Sequence, residues 1–359
     1  MKPRLGHSLL VGQYAKYIMN SLRCISSFIF LAGCIFLNID FIFSANAHGI
    51  TNTKSDILVD SGNNKKRLLD RSHEFIIKKI YGPVKWFDNF FTDKRLIEEG
   101  LPYTFVRWQN DALLSEGGEN LFRSRVHANI RMSKAEKMFK FLLIGEDREV
   151  AFEILPDRVV DPELVDEKKQ EHLNLGLRLN LIKKLKSKLY IHTGVRFEYP
   201  PDPYVKLSYQ YIYPIGTRSL ARFTETNLWK NSKGLSETLR IDLERLFDIQ
   251  NMLRWCSFCT HSQSTGGLNW GTDLSFLHQI SPKAAIKYSI GEYGITRPHV
   301  TVENYGVTIR FRRSFYREWI FYELKPGVSW LRNRNWDSVE SFIIRFELQF
   351  DSTLCDSNR

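Results

Sequence analysis

The sequence predicts an all-β fold: a transmembrane antiparallel up-and-down β-barrel of about fourteen strands, with twelve as the competing number. From about residue 102 onward, runs of roughly ten residues alternate apolar with polar side chains between turn residues. Twelve to fourteen such runs would close around a lumen too wide for apolar side chains to fill, so the apolar face is predicted to point outward, to lipid. The chain is also predicted to begin with an export signal, as a bacterial membrane barrel requires.

Residues 1–47 have the features of a cleavable signal peptide. Basic residues precede a long apolar stretch that closes with Ala45-Asn46-Ala47, the small-residue pattern of a cleavage site. Two alternatives stay open. The stretch is long enough for an uncleaved anchor, and Leu31-Ala32-Gly33-Cys34 resembles a lipoprotein processing site that would lipidate Cys34.

Between the signal and the strands, residues 48–66 are polar and are predicted to form a flexible linker. Residues 67–100 are predicted to form a short helical, aromatic segment in the periplasm. Its first helix is expected from about Ser72 to Ile80, ended by Gly82-Pro83. The aromatic residues from Trp86 to Phe91 predict either a second short helix docked on the barrel or a segment at a membrane interface.

The barrel is predicted to occupy residues 101–351, followed by a tail at 352–359. In Leu173–Leu181, for example, leucine stands at every odd position with polar residues or glycine between. Alternation is weakest in the first, seventh and ninth strands. Aromatic residues near strand ends predict the interfacial girdles of a membrane barrel; they are Trp108, Tyr199, Tyr204, Tyr213, Trp229, Trp270, Tyr305, Trp319 and Trp330.

Connections after odd-numbered strands form the longer set, which includes an acidic loop at 145–170. Because the long loops of such barrels face the exterior, both termini are predicted to lie in the periplasm.

The face opposite the lipid-facing side chains is predicted to line the lumen, where cations outnumber anions. This excess predicts a narrow channel that prefers small anionic solutes. One alternative is a closed structural or lipid-interacting barrel whose Arg and Glu side chains pair across strands. Another is a lumen plugged by the segment around Trp86 to Phe91, or by the acidic loop, which would pair with these cations. The basic residues predicted to line the lumen are Arg123, Arg125, Arg131, Arg178, Arg196, Arg240, Arg310, Arg312 and Arg345, with Lys206, Lys287 and Lys325. The acidic ones are Glu198, Asp242, Glu244, Asp273, Glu323 and Glu347.

The sequence contains few features that indicate catalysis. A hydrolase acting at the barrel rim would draw on His127, His192, Asp242 and Glu244, but nothing fixes their spacing across strands. A nucleotide-binding glycine loop, a metalloprotease helix and a nucleophile elbow are absent, so the sequence predicts no cofactor and leaves an enzymatic role uncertain.

Cys256 and Cys259 have the spacing of half a zinc site or of a redox pair. The simpler interpretations are two apolar positions or an incidental disulfide. The sequence therefore predicts no metal site.

Several segments together resemble an uncharacterised family of proteobacterial outer-membrane proteins. They are WFDNFFTDKRLIEEG, the arginine-bearing strand LFRSRVHANIRM, LRIDLERLFD, LRWCSF, GLNWGTDLSF, YREWIFYELKPGVSW and the terminal FIIRFELQF. The resemblance implies a barrel and a Gram-negative outer-membrane location, and it implies no substrate. The expected partners are outer-membrane lipid and lipopolysaccharide, the barrel assembly machinery through the terminal strand, and small anionic solutes, with no nucleic acid.

Overall fold

The structure is a computed structural model, and it describes residues 80–91, 105–115, 120–131, 139–145, 173–184, 186–197, 199–264 and 267–351. These residues all belong to one compact unit, Lys66–Arg359. The predicted signal peptide, linker, acidic loop and tail lie outside the described residues, as do most of the helix expected at 72–80 and the predicted lumenal residue Glu198.

The fold-class prediction is confirmed, with fourteen strands in the described part of the chain. Each strand pairs antiparallel with its neighbours in sequence, and β1 pairs with β14 over eleven residues to close the barrel. The strands are β1 Phe105–Ser115, β2 Leu121–Arg131, β3 Phe139–Gly145, β4 Leu173–Lys183, β5 Ser187–Phe197, β6 Asp202–Ile215, β7 Ser219–Lys230, β8 Gly234–Leu246, β9 Asn251–Ser262, β10 Leu268–Ser281, β11 Ala284–Ile295, β12 Thr301–Ser314, β13 Ile320–Leu331 and β14 Ser338–Asp351.

Side-chain burial shows that the barrel's polarity is inverted relative to a soluble protein. Along β6, burial alternates without interruption, with Lys206, Ser208 and Gln210 buried while Leu207 and Tyr209 are exposed. In a single closed sheet, buried side chains point into the barrel and exposed ones point outward. An apolar outer surface around a polar interior is the arrangement of a barrel that spans a membrane.

One predicted girdle residue is placed differently. Tyr204 was expected at the membrane interface, but its side chain is 3% exposed and points into the lumen. It shares the inward face with Lys206 because the two residues are two positions apart on β6. Trp108, Tyr213, Trp229 and Tyr305 are exposed on the outside, as a girdle requires.

The two ends of the barrel differ in their connections. We call the end with the turns after β4, β6, β8, β10 and β12 the helix end, and the opposite end the loop end. The turn after β6 uses Gly216, whose φ of 65° lies in the left-handed region that favours glycine. In the turn after β8, hydrogen bonds from the Asn251 side chain and nearby backbone amides hold the pKa of the Asp248 carboxyl below its ordinary value.

The described helix, α1, covers residues 80–90 and corrects the sequence prediction in one respect. It continues through Gly82 and Pro83, where the first predicted helix was expected to end. It docks on the inner surface of the barrel, which agrees with the docked alternative and not with a segment at a membrane interface. Burial of the face formed by Ile80, Val84 and Phe87 stabilises the helix enough to override the poor helix propensity of Gly-Pro.

No helix in the described ranges is long and apolar enough to cross a membrane.

Candidate functional site: the barrel lumen

The described side chains that the sequence predicts for the lumen are mostly buried. Asp242, Glu244, Asp273, Glu323 and Glu347 are buried among the anions, and Arg125, Arg178, Arg196, Lys206, Arg240, Lys287, Arg310 and Arg312 among the cations. Arg123, Lys325 and Arg345 are partly buried. Arg131 lies on β2, but its side chain is not among those described. Across the described residues, twelve buried Arg and Lys side chains stand against eight buried Asp and Glu.

Further charged residues of the lumen were not predicted, among them Asp202 and Lys230 near the loop end of β6 and β7. Asp111, Arg222 and Arg254 lie on β1, β7 and β9, the strands with the weakest alternation, and Asp88 lies on α1. The signal that could have identified Arg222 is the alternation of Thr224 and Thr226, which share its inward face.

The lumenal helix α1 packs into the helix end of the barrel through an apolar cluster. Its contribution is Ile80, Val84, Phe87, Phe90 and Phe91. The barrel's contribution comes from inward residues near the helix end of seven strands: Ile212, Leu220, Leu246, Met252, Leu277, Ala285 and Phe321. Val84 and Phe87 are fully buried, so the helix fills this part of the lumen.

Charged residues fix the same helix to the barrel wall. Asp88 accepts a hydrogen bond of 2.6 Å from Arg254, and Arg222 lies 3.7 Å from the same carboxylate. Glu244 binds both arginines, at 2.8 Å from Arg254 and 3.4 Å from Arg222. At the end of the helix, Arg310 donates a hydrogen bond of 2.9 Å to the carbonyl oxygen of Phe91. Such paired, buried charges are strongly destabilised when one partner is lost.

One wall of the lumen carries a row of charges that alternate in sign, which we call the alternating row. The cross-strand register places Arg312, Glu323, Arg345, Asp111 and Arg123 opposite one another on β12, β13, β14, β1 and β2.

Four members of the alternating row form an ion-pair network with Glu347 and Arg125. Arg312 binds Glu323 at 3.2 Å and Glu347 at 2.9 Å, and Arg345 binds Glu323 at 3.2 Å and Asp111 at 2.7 Å. Arg125 also pairs with Asp111. Opposite charges on neighbouring strands stabilise a sheet, so this wall contributes to the stability of the barrel.

Toward the loop end, the lumen is lined by hydroxyl groups and cations. Hydroxyl pairs bridge adjacent strands at 2.8 to 3.0 Å, namely Ser208 with Thr226, Thr238 with Thr260 and Ser275 with Ser289. The Arg178 guanidinium lies 3.5 Å from the centre of the Tyr190 ring, a cation–π contact. The interior here is therefore polar, and its side chains are buried.

The structure does not bring together the four residues of the enzyme hypothesis. His127, His192 and the two carboxylates lie on β2, β5 and β8, so each group is three strands from the next. Asp242 binds Arg240 at 2.9 Å, while Glu244 binds Arg222 and Arg254. His192 lies 3.3 Å from the Tyr204 hydroxyl.

Cys256 and Cys259 are free thiols on β9, with Cys256 in the lumen. Their spacing of three places them on opposite faces of the strand, so they cannot join in a disulfide or share a metal ion. No group of three or more metal-ligating side chains occurs in the part of the chain that the structure describes.

No model of a protein family matches the chain, so membership in the uncharacterised outer-membrane family stays a prediction. No curated protein matches it either. Among solved structures, the chain is similar to outer-membrane barrels. OmpT of Vibrio cholerae has a TM-score of 0.44 at 7% identity, covering 69% of this chain and 97% of that one.

The OccK2 protein of Pseudomonas aeruginosa has a TM-score of 0.41 at 8% identity, covering 70% of this chain and 98% of that one. The channel DcaP of Acinetobacter baumannii has a TM-score of 0.39 at 9% identity, covering 69% of this chain and 96% of that one. Similarity at this level has no bearing on the solute or the mechanism of this chain.

Proposed function

We propose that the protein is an outer-membrane channel for small anionic solutes, held closed at its helix end by the lumenal helix α1. One observation carries the proposal: a helix docks inside a lumen in which, among the residues that the structure describes, buried cations outnumber buried anions. A fixed excess of positive charge in a lumen of low dielectric concentrates anions and excludes cations. Transport requires α1 to leave its binding surface.

The location follows from the surface of the barrel and from the sequence. The outer surface is mostly apolar over the middle of the strands, with Glu225 and Asn227 on β7 as polar exceptions, and a signal peptide is predicted at the N-terminus. Phe346 and Phe350 are exposed on the outer face of the terminal strand β14. We expect the barrel assembly machinery to recognise this strand. In this proposal the helix end faces the periplasm, and the loop end faces lipopolysaccharide and the exterior.

The second candidate is a closed structural barrel. It is favoured by the ion pairs of Asp88 with Arg254 and Arg222, which hold α1 in place together with Glu244. The two candidates differ in whether α1 can leave the lumen, and this can be measured.

Undocking α1 is expected to raise the conductance of the barrel in planar bilayers. In Phe87→Glu, a carboxylate replaces a fully buried ring of the apolar cluster, so both the lost burial and the buried charge destabilise the docked helix. We expect open-channel events to become at least about tenfold more frequent than in the wild type, since about 1.4 kcal/mol corresponds to a factor of ten. Deletion of residues 48–91 is expected to give a continuously open pore.

The matched control is Asn89→Glu, which introduces the same charge on the exposed side of the same helix. It is expected to behave as the wild type. In the deletion variant, Arg178→Glu with Arg196→Glu is expected to shift the reversal potential toward cations. A pore that opens but prefers cations before the charge reversal would contradict the anion preference. Silence of both Phe87→Glu and the deletion variant, with the barrel folded, would leave the structural barrel.

A further inference from the structure

The outer face of β6 and β7 carries polar side chains on a surface that is otherwise mostly apolar. Glu225 is exposed on the outer face of β7, and Asn227, two residues further along the same face, is partly buried. Tyr209 is 39% exposed on the outer face of β6 and stands opposite Glu225 in the register. We call these three residues the polar patch.

Glu225 lies at the depth of the membrane's hydrocarbon. The exposed girdle residue Trp229 is four residues from it toward the loop end of β7. In the other direction, four residues from Glu225, Ala221 is paired with the exposed girdle residue Tyr213. At about 3.4 Å per residue and a strand tilt of about 40°, Glu225 is about 10 Å from either girdle along the membrane normal. The carboxylate therefore lies near the middle of an apolar band about 25 Å tall.

The contacts of Glu225 within its own chain leave its charge without a cation. Its carboxylate accepts a hydrogen bond of 3.3 Å from the Asn227 side-chain amide. No Lys or Arg occupies an outward position of β6 or β7 between the two girdles, and the structure describes both strands in full. Ionisable side chains inside a membrane almost always face other protein or a water-filled space rather than lipid. A protein surface is therefore expected to cover the polar patch.

Tyr209 places a hydrogen-bond donor beside this acceptor. The Ser187 hydroxyl donates to the Tyr209 oxygen at 3.3 Å, so the phenolic hydrogen remains available for an acceptor. Both side chains are described, and no hydrogen bond joins Tyr209 to Glu225 within one chain. The same surface thus presents a donor on β6 and an acceptor on β7 at one level of the barrel.

We propose that the polar patch is the interface of a symmetric dimer, formed with a second copy of this chain. A two-fold axis along the membrane normal, between β6 and β7, places Tyr209 of each copy opposite Glu225 of the partner subunit. The dimer then contains two identical hydrogen bonds from Tyr209 to Glu225. Because apolar side chains gain little by leaving lipid, such polar contacts and close packing drive association in a membrane. The inference goes beyond the proposed function, since open and closed barrels present the same outer face.

Sedimentation equilibrium of the full-length protein in density-matched detergent tests the dimer. We expect the wild type to dimerise with a measurable dissociation constant. Tyr209→Phe removes only the hydroxyl and is expected to weaken the dimer about tenfold, because the symmetry removes two hydrogen bonds at once. Glu225→Leu is expected to weaken it at least as much. Its barrel should fold as well as the wild type in heat-modifiable gel migration, because leucine suits a lipid-facing position.

The combination of the two changes tests whether these side chains are partners. Tyr209→Phe with Glu225→Leu should dimerise no more weakly than Glu225→Leu alone, because the hydrogen bond is already absent. The matched control is Tyr288→Phe with Glu292→Leu, which changes the same residue types on the outer face of β11. Its dissociation constant is expected to stay within about twofold of the wild type.

Three results would overturn the proposal. The first is a wild-type protein that is monomeric at every concentration, as it would be if lipid or another protein covered the polar patch. The second is a dimer of equal affinity in the wild type and Glu225→Leu, which would place the interface elsewhere. The third is a full addition of the two single effects in the double variant, which would show that Tyr209 and Glu225 do not bind each other.

Discussion

Aspartate at Leu177 and Leu207 together is expected to abolish assembly of the barrel. Both side chains lie on the outer face, where 43% of Leu177 and 38% of Leu207 is exposed. They lie near the middle of β4 and β6, at the depth of the membrane that is farthest from water. A charge at that depth costs about 2 to 3 kcal/mol or more per residue. Two such costs remove a large part of the roughly 5 to 15 kcal/mol by which folded proteins are stable. The measurement is the heat-modifiable fraction recovered after folding into lipid vesicles.

The matched control places two aspartates on the inner face, in Asn180→Asp with Thr224→Asp. Asn180 lies two residues from Arg178 on the same face of β4, and Thr224 is paired with Arg240 across β7 and β8. Both new carboxylates therefore have a cation nearby, and assembly is expected to proceed. If both double variants assembled equally well, the assignment of outer and inner faces would be wrong.

Alternation of side chains was sufficient to predict the barrel because it follows directly from strand geometry. A period of two places every second residue on the same face, so inward positions could be identified without knowing which strands are neighbours. This explains why residues as distant in sequence as Arg178 and Glu347 could be predicted for one lumen. The register between strands was not predictable, because it depends on how each strand slides against the next. The alternating row is visible only in the register.

The sequence of α1 left its position open between docking on the barrel, plugging the lumen and lying at a membrane interface. An apolar face every three to four residues indicates that a helix packs on something, but not on what. The barrel sequence did contain a signal, since apolar residues such as Leu220, Met252 and Leu277 occupy inward positions that are otherwise polar. Leu220 and Met252 lie on β7 and β9, two of the strands whose alternation is weakest. Inward positions of a membrane barrel are usually polar. A cluster of apolar residues at inward positions near one end therefore indicates the surface on which a lumenal segment packs.

Asp88 shows why a single strand or helix could not have revealed the whole site. Asp88 lies on a mostly apolar, buried face of the helix. Burying a carboxylate there without a partner would be unfavourable. Its partners Arg254 and Arg222 lie more than a hundred residues away and meet it only when the barrel has closed.

Loss of the Arg312 guanidinium is expected to destabilise the barrel by about 3 to 5 kcal/mol, the usual effect of breaking a buried ion pair. Arg312 is fully buried and binds Glu323 and Glu347, and its guanidinium lies 4.3 Å from the ring centre of Phe321. Arg312→Met preserves much of the side-chain volume but leaves Glu347 without this partner. The free energy of unfolding in urea, measured in lipid vesicles, gives the size of the effect.

Arg332→Met is the control, because Arg332 forms a 3.0 Å ion pair with Glu303 while remaining 49% exposed. Such surface pairs contribute about 0 to 1 kcal/mol, so this variant should unfold close to the wild type. A second comparison separates two contributions to this loss of stability: the lost attraction between Arg312 and its partners, and the cost of a buried carboxylate left without its cation. If the penalty arises from a buried carboxylate left without its cation, Arg312→Met with Glu347→Gln should recover part of the stability lost in Arg312→Met alone. A double variant less stable than Arg312→Met would show instead that Glu347 stabilises the barrel through its other neighbours, such as Gln349, whose side-chain amide donates to it at 2.6 Å.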